Sequence, residues 1–292
     1  MLDGKYRYID THAHVNINAF NDDWEAVVDR CEEAGVAMIN VGTQRDTSRR
    51  AVEIAAAKEN CYAVVGLHPV HTSASYHDES ELGENMKTFT GRGEVFDTNY
   101  YRELALSTKK VVAIGECGYD YYRLEAATKT VQEAAFIAQI ELANELKLPL
   151  VIHTRDSQGN QTSSRPRFEP NVYDDTYATL KQYAKVPFNV HFYAGTFAQA
   201  EKFFALGGSI SFTGVITFAK DYEEVVRQAP LELIHAETDC PYVAPKPHRG
   251  QRCEPSMVCA VYKKIAEIKG LEEEAVREQL LKNARQLYNL SS

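Results

Sequence analysis

Histidines and carboxylates recur where short apolar runs end. His12 and His14 follow the first run and His68 the third. Glu116 ends the fourth run, His153 the fifth and His191 the sixth, and Asp239 follows the eighth. Imidazole nitrogen and carboxylate oxygen together suit Zn, Mn or Mg and not a soft-metal site. His12 and His14 are two apart, and residues i and i+2 of an extended segment project to the same side. One strand can therefore aim both rings at one ion. Asp10 shares their parity and is expected to lie deeper and orient them. Four imidazoles and two carboxylates exceed the roughly three protein ligands of a single tetrahedral zinc site. His12, His14, Glu116, His153, His191 and Asp239 are thus expected to hold two divalent ions (Zn, Mg or Mn), with Glu116 on a middle strand as the bridge. Ions ~3.5–4 Å apart share a water and clamp the entering and leaving oxygens of a displacement. Glu116 and Asp239 are the expected catalytic residues, Asp239 also as acceptor of a proton from the attacking water.

Such a centre needs strands that all end at one face. The spacing predicts strands over Tyr6–Asp10, Val36–Val41, Cys61–Leu67, Val111–Glu116, Pro149–His153, Pro187–Phe192, Gly208–Phe212 and Leu233–Thr238. They are short, rich in Val, Ile and Phe, and flanked by Gly, Pro or polar residues. Amphipathic segments lie between them. Trp24, Val27, Val28 and Cys31 recur at helical spacing, Val131 to Leu146 forms the longest stripe, and Leu271 to Leu290 closes the chain as helix. Strands alternating with helices imply crossovers and a parallel sheet. Eight such repeats predict an α/β fold, a single (β/α)8 barrel over residues 1–292 with its site at the C-terminal ends of the strands, in preference to a doubly wound open sheet. Two connections are overlong, Thr72–Lys110 and Ser157–Asn171.

Composition narrows the function. No stretch approaches 18 consecutive apolar residues, so no membrane span is expected, and no secretory signal is visible. The six cysteines form no CxxC pair, which points to reduced thiols and a cytoplasmic protein. A formal net charge of −9 counts against a long cationic groove for a duplex, though not against a small site that holds one or two phosphates.

Six segments carry a family resemblance: Thr11-His12-Ala13-His14, Gly66-Leu67-His68-Pro69, Gly115-Glu116-Cys117-Gly118, Ile152-His153-Thr154-Arg155, Val190-His191-Phe192 and Glu237-Thr238-Asp239-Cys240-Pro241. In this order they resemble the successive motifs of the TatD family of metal-dependent deoxyribonucleases, within the amidohydrolase superfamily. The resemblance implies that His12, His14 and Asp239 hold one ion and His153 and His191 the other, with Glu116 between them. It implies that His68 and Arg155 face the scissile phosphate. It implies hydrolysis of DNA, as 3′-5′ exonuclease action on single strands or frayed ends, with no obligate protein partner. The chain departs from the family at Tyr119, commonly Leu, and at Cys253-Glu254-Pro255, usually Asn-Glu-Pro.

Other residues have plainer expectations. Cys117 and Cys240 neighbour the proposed ligands, and alternation turns Cys117 away from the Glu116 side, so both are expected in the core. Arg249, Arg252 and Lys246 after the eighth strand, and Arg165 and Arg167 after the fifth, are surface residues or phosphate contacts. Arg249 joins His68 and Arg155 as an expected substrate-binding residue. Tyr119, Tyr121, Tyr122 and Tyr193 follow strands, where a ring could stack on a base. His71, His77 and His235 have no partner motif. Two other functions fit the same ligands: an amidase, lactonase or esterase on a small molecule, and a non-catalytic metal-binding barrel. Many small-molecule relatives bridge their ions with a carboxylated lysine on the fourth strand, and Glu116 at that place favours the nuclease.

Overall fold

The computed structural model describes residues 5–73, 76–77, 89–90, 93–122, 126–156 and 171–290. Its main sheet has eight parallel strands in chain order. They are β1 (Tyr8–Ala13), β2 (Val36–Val41), β3 (Cys61–Val65), β4 (Val111–Asp120), β5 (Leu150–Arg155), β6 (Phe188–Val190), β7 (Gly208–Phe212) and β8 (Ile234–Ala236). β8 and β1 share no regular ladder. Their seam closes just beyond β8, where the Asp239 N–H donates to the His12 carbonyl at 2.9 Å and the His14 N–H to the Cys240 carbonyl at 3.0 Å. The result is the expected nearly closed barrel, with its seam drawn together at the predicted site.

Helices follow the strands as the apolar stripes require: α1 (Trp24–Glu33), α2 (Arg45–Ala57), α3 (Thr98–Leu106), α4 (Ala126–Leu146), α5 (Val172–Tyr183), α6 (Phe197–Phe204), α7 (Glu223–Gln228), α8 (Val258–Lys269) and α9 (Glu273–Leu287). Two elements lie inside the connection read as a bare loop. One is a short antiparallel pair, Tyr76–His77 with Phe89–Thr90. The other is α3, capped by the Asp97 side chain, which accepts from the N–H groups of Asn99 and Tyr100. Most of the second long connection, 157–170, lies outside the described residues.

Alternation sorts the strand residues into two buried clusters. Val36, Met38, Cys61, Ala63, Leu150, Ile152, Phe188, Val190, Ile210 and Phe212 pack outward against the helices. Ile9, Ala37, Ile39, Val41, Tyr62, Val64, Ala113 and Val151 point inward, and their cluster continues onto Leu281, Ala284, Tyr288 and Leu290 of the C-terminal segment, which floors the barrel. Those inward residues come from β1 to β5. On β6, β7 and β8 the corresponding positions are Asn189, Ser209, Ser211 and His235, all buried.

Two strands break strict alternation, and both breaks sit at the site. Asp10 pairs with Met38 and Ala13 with Asn40, so β1 takes an extra residue there. Ile114 pairs with Leu150 and Cys117 with Ile152, so β4 does the same around Glu116. Glu116 therefore lies within a ten-residue strand and not at its end, a correction to the predicted bounds. Glycine is required on both sides of it. A Cβ on Gly115 would come within 2.5 Å of the Val151 carbonyl oxygen, and one on Gly118 within 2.1 Å of the His153 carbonyl oxygen. Their φ values of +142° and +140° also disfavour other residues.

Candidate metal centre

The predicted residues meet at the C-terminal end of the barrel, around the Glu116 carboxylate. Its Oε2 lies 3.4 Å from His12 Nε2, and His12 Nε2 lies 3.1 Å from His14 Nε2. Asp239 Oδ1 completes this group, 3.3 Å from His14 Nε2. Glu116 Oε1 lies 2.8 Å from His153 Nδ1 and 2.6 Å from His191 Nε2, which are 3.3 Å from each other. The rings of His12 and His191 stack at 3.9 Å and join the two groups. Glu116 and the His12, His14 and His191 rings are buried, and the Asp239 side chain keeps 13% exposure.

This donor set fits divalent ions. In each pair two ring nitrogens face each other at contact distance beside a carboxylate oxygen, and among the described residues three sets of three donors lie close enough for an ion: His12, Glu116 and His191; His12, His14 and Asp239; and His68, Asp120 and His153. The charges agree. Burial opposes ionisation of Glu116, but His191, His68 and His12 outweigh it and hold the carboxyl well below its usual range. Burial likewise opposes charge on Asp239, and His14, His12 and His191 pull it down. For His191, burial is overcome by Glu116 and Glu237, which raise it well above the ordinary imidazole value.

Ligating imidazoles need their other nitrogen fixed, and the four rings differ here. His14 Nδ1 bonds the Val41 carbonyl at 2.8 Å. His153 Nε2 bonds Asp120 Oδ2 at 3.0 Å. His12 Nδ1 and His191 Nδ1 both lack a hydrogen-bond partner, and His191 Nδ1 faces Glu237 Oε1 at 3.5 Å. The expected role of Asp10 is corrected. Its carboxylate reaches neither ring and instead accepts the His12 N–H at 3.2 Å, the Thr238 N–H at 2.9 Å and the Thr238 hydroxyl. The extra residue in β1 turns His12 and His14 inward while Asp10 stays on the other side. Asp120 was missed as a site residue, although its place four residues after Glu116 on one strand was the available signal.

His68 lies at the second group, its Nε2 3.4 Å from Glu116 Oε1. The Val70 N–H donates to its Nδ1 at 3.1 Å, so a neutral ring carries its proton on Nε2, toward the site. Burial and His153 push its pKa down to about 4. A neutral His68 ring thus presents Nε2–H toward Glu116. Arg155 stands two residues beyond His153 on β5, exposed, with its guanidinium 3.8 Å over the Tyr122 ring. Arg249, in the segment after β8, is exposed and lies 4.0 Å over Phe218, which follows β7. Both belong to the rim and not to the carboxylate cluster.

Several candidates fall away. Tyr119, Tyr121 and Tyr193 are buried and cannot stack on a base, which leaves Tyr122. Arg252 is tied to Asp23 at 2.6 and 2.9 Å and packs over Phe20. Cys117 and Cys240 are fully buried, and burial pushes both thiols well up, as core residues should be. Arg165 and Arg167 lie outside the described residues.

Comparison with known proteins bears on the family and the fold. The sequence profile of the family described as TatD related DNase matches residues 9–289. The Bacillus subtilis protein named uncharacterized metal-dependent hydrolase YabD is 32% identical over 97% of this chain and 99% of its own length. The Pantoea ananatis protein named 3′-5′ ssDNA/RNA exonuclease TatD is 30% identical over 96% of this chain and 99% of its own. The solved structure of YjjV, a TatD homologue from Escherichia coli K12, superposes with a TM-score of 0.78 at 25% identity, covering 100% of both chains. The chain belongs to the TatD-related DNase family of metal-dependent hydrolases.

Proposed function

We propose that this protein removes nucleotides stepwise from the 3′ end of single-stranded or frayed DNA, with two divalent ions held by His12, His14 and Asp239 on one side of Glu116 and by His153 and His191 on the other. The observation that carries the reading is the division of the Glu116 carboxylate, one oxygen to each histidine pair. Divalent ions in such a site neutralise phosphodiester charge and make water a nucleophile at neutral pH. The direction of attack on the strand rests on likeness to the Pantoea exonuclease named above.

The side chains divide the remaining work. Asp239 is the more open of the two carboxylates and is held ionised, so it accepts the proton of the attacking water. His68 donates its Nε2–H to a non-bridging phosphoryl oxygen. Arg155 and Arg249, each seated on an aromatic ring, meet the flanking phosphates at the rim by charge-assisted hydrogen bonds. The chain is otherwise acidic, with a formal net charge of −9, so binding rests on a few contacts at a strand end and not on a long groove.

The test uses oligonucleotides labelled at either end, in DNA and RNA forms, with Mg, Mn or Zn added. A ladder that shortens from the 3′ end supports the proposal. Efficient cutting of closed circular DNA without action on free ends overturns the exonuclease reading. No cleavage with any ion, alongside rapid hydrolysis of a small amide or lactone, transfers the site to small-molecule chemistry.

A further inference from the structure

Inside the barrel, aliphatic side chains serve β1 to β5, whereas β6 to β8 carry a row of buried polar ones. Buried polar groups are costly unless bonded, and these bond one another in a single line. The Ser211 hydroxyl donates to Glu237 Oε2 at 2.7 Å, and Asn189 Nδ2 donates to Ser211 Oγ at 2.8 Å. Ser209 Oγ donates to Asn189 Oδ1 at 3.2 Å and is itself 3.0 Å from His235 Nε2. With the Ser209 proton directed to Asn189, or to the Phe188 carbonyl at 3.3 Å, His235 must supply the donor to Ser209. Every donor in the line then points toward Glu237. The residue is fully buried, and its other oxygen accepts the Phe192 N–H at 2.6 Å and lies 3.5 Å from His191 Nδ1.

We propose that Glu237 is the positioning residue of the His153–His191 side: it holds the His191 ring with Nδ1–H toward its carboxylate and Nε2 turned to the ion, and the line through Ser211, Asn189, Ser209 and His235 holds Glu237 in turn. The proposal rests on the two-ion reading above. Among the described residues, Asp120 is grouped with His153 on that side but bonds Nε2, the nitrogen turned away from Glu116. Asp120, hydrogen-bonded behind His153, and Glu237, facing His191 Nδ1 at 3.5 Å, supply negative charge behind the two rings, where it raises their basicity. The Phe192 N–H bond has a second effect. Phe192 has a φ of +43°, which a bulky residue adopts only when held, and the Glu237 carboxylate is what holds it, next to His191.

The test measures zinc stoichiometry and affinity by competition with a chelator, in the wild type, Glu237→Gln, Ser211→Ala and Asp239→Asn. Glu237→Gln keeps size and loses charge. The expected result is two ions in the wild type and, in Glu237→Gln, a loss of roughly 10–100-fold in affinity for one of them. The affected ion should be the one that Asp239→Asn leaves in place. Ser211→Ala should weaken the same ion by a smaller factor, and it carries the comparison if Glu237→Gln does not fold. Two ions with unchanged affinities in both variants, or equal weakening of both ions, overturn the role of Glu237 and leave the function standing. Fewer than two ions in the wild type overturn the two-ion reading, and this proposal with it.

Discussion

The two sides of Glu116 use the same side-chain type and are supported in different ways. His12 and His14 come from one strand, so the backbone that places one places the other. Their supports are one main-chain carbonyl and one carboxylate that binds backbone N–H groups. The Val41 carbonyl fixes the His14 ring, and Asp10 ties the His12 N–H to Thr238 across the barrel seam. His153 and His191 come from β5 and from the turn just after β6, and no local periodicity relates them. Each has a buried carboxylate behind it, Asp120 and Glu237. The interiors beneath divide at a different place, apolar on β1 to β5 below His12, His14 and His153, and hydrogen-bonded on β6 to β8 below His191. The pair aligned by strand geometry has no carboxylate bonded to the outer nitrogens of its rings, whereas the pair assembled across strands has one beside each ring.

This contrast can be broken by experiment. The largest effect belongs to the shared residue. Glu116→Gln should lose both ions, as read by metal analysis, and take turnover to background while the circular dichroism spectrum stays native. Retention of either ion at wild-type affinity would mean that the two sides do not share the carboxylate. Asp239→Asn should lower kcat by about 10²–10⁴-fold, since it removes a proton acceptor, and should leave the His153–His191 side loaded.

The polar interior should be visible in acid. Burial drives the pKa of His235 down to about 3, against 6.5 for a free imidazole. The unfolded chain thus binds a proton that the folded one refuses. The stability contribution is complete above pH 6.5 and is lost as pH falls from 6.5 toward 3, at about 1.4 kcal/mol per pH unit at most. Denaturant titrations of the wild type and His235→Phe should show the smaller acid slope in the variant, and equal slopes would remove His235 from the account.

Asp120→Asn should weaken the ion beside His153 by roughly 10–100-fold, with little change at His12 and His14, as measured by isothermal titration calorimetry. Equal weakening on both sides would erase the distinction. Asp10→Asn is the counterpart for the His12–His14 side. It keeps one acceptor oxygen, so it should cost about 1–3 kcal/mol of stability and change the affinity of the His153–His191 side least of all. A melting temperature equal to that of the wild type would show that the seam does not depend on Asp10.

Much of this was legible in the residues. The convergence of six histidines and carboxylates could be read because imidazoles and carboxylates closed successive apolar runs, and the eight-fold repeat placed those ends on one face. What was misread lay where period two fails. The parity of Asp10 with His12 was counted correctly, but the extra residue in β1 reverses it. The four-residue step from Glu116 to Asp120 was hidden because β4 was expected to stop at Glu116 and instead runs on to Asp120. Helix α3 escaped because its polar capping residue, Asp97, sits within a stretch otherwise read as loop.

The amino-acid sequence by itself determined the repeat, the closing face, the family and the side-chain types that gather there, because each is a matter of local pattern: alternation, spacing and the chemistry of single side chains. Only the tertiary structure decided which oxygen of Glu116 serves which pair, that Glu237 stands behind His191 and Asp120 behind His153, and that Tyr119, Tyr121 and Tyr193 are closed to substrate. Those outcomes depend on bulges that rotate a strand and on contacts between residues far apart in the chain. No periodicity records them, because their partners are brought together by closure of the barrel and not by neighbourhood along it.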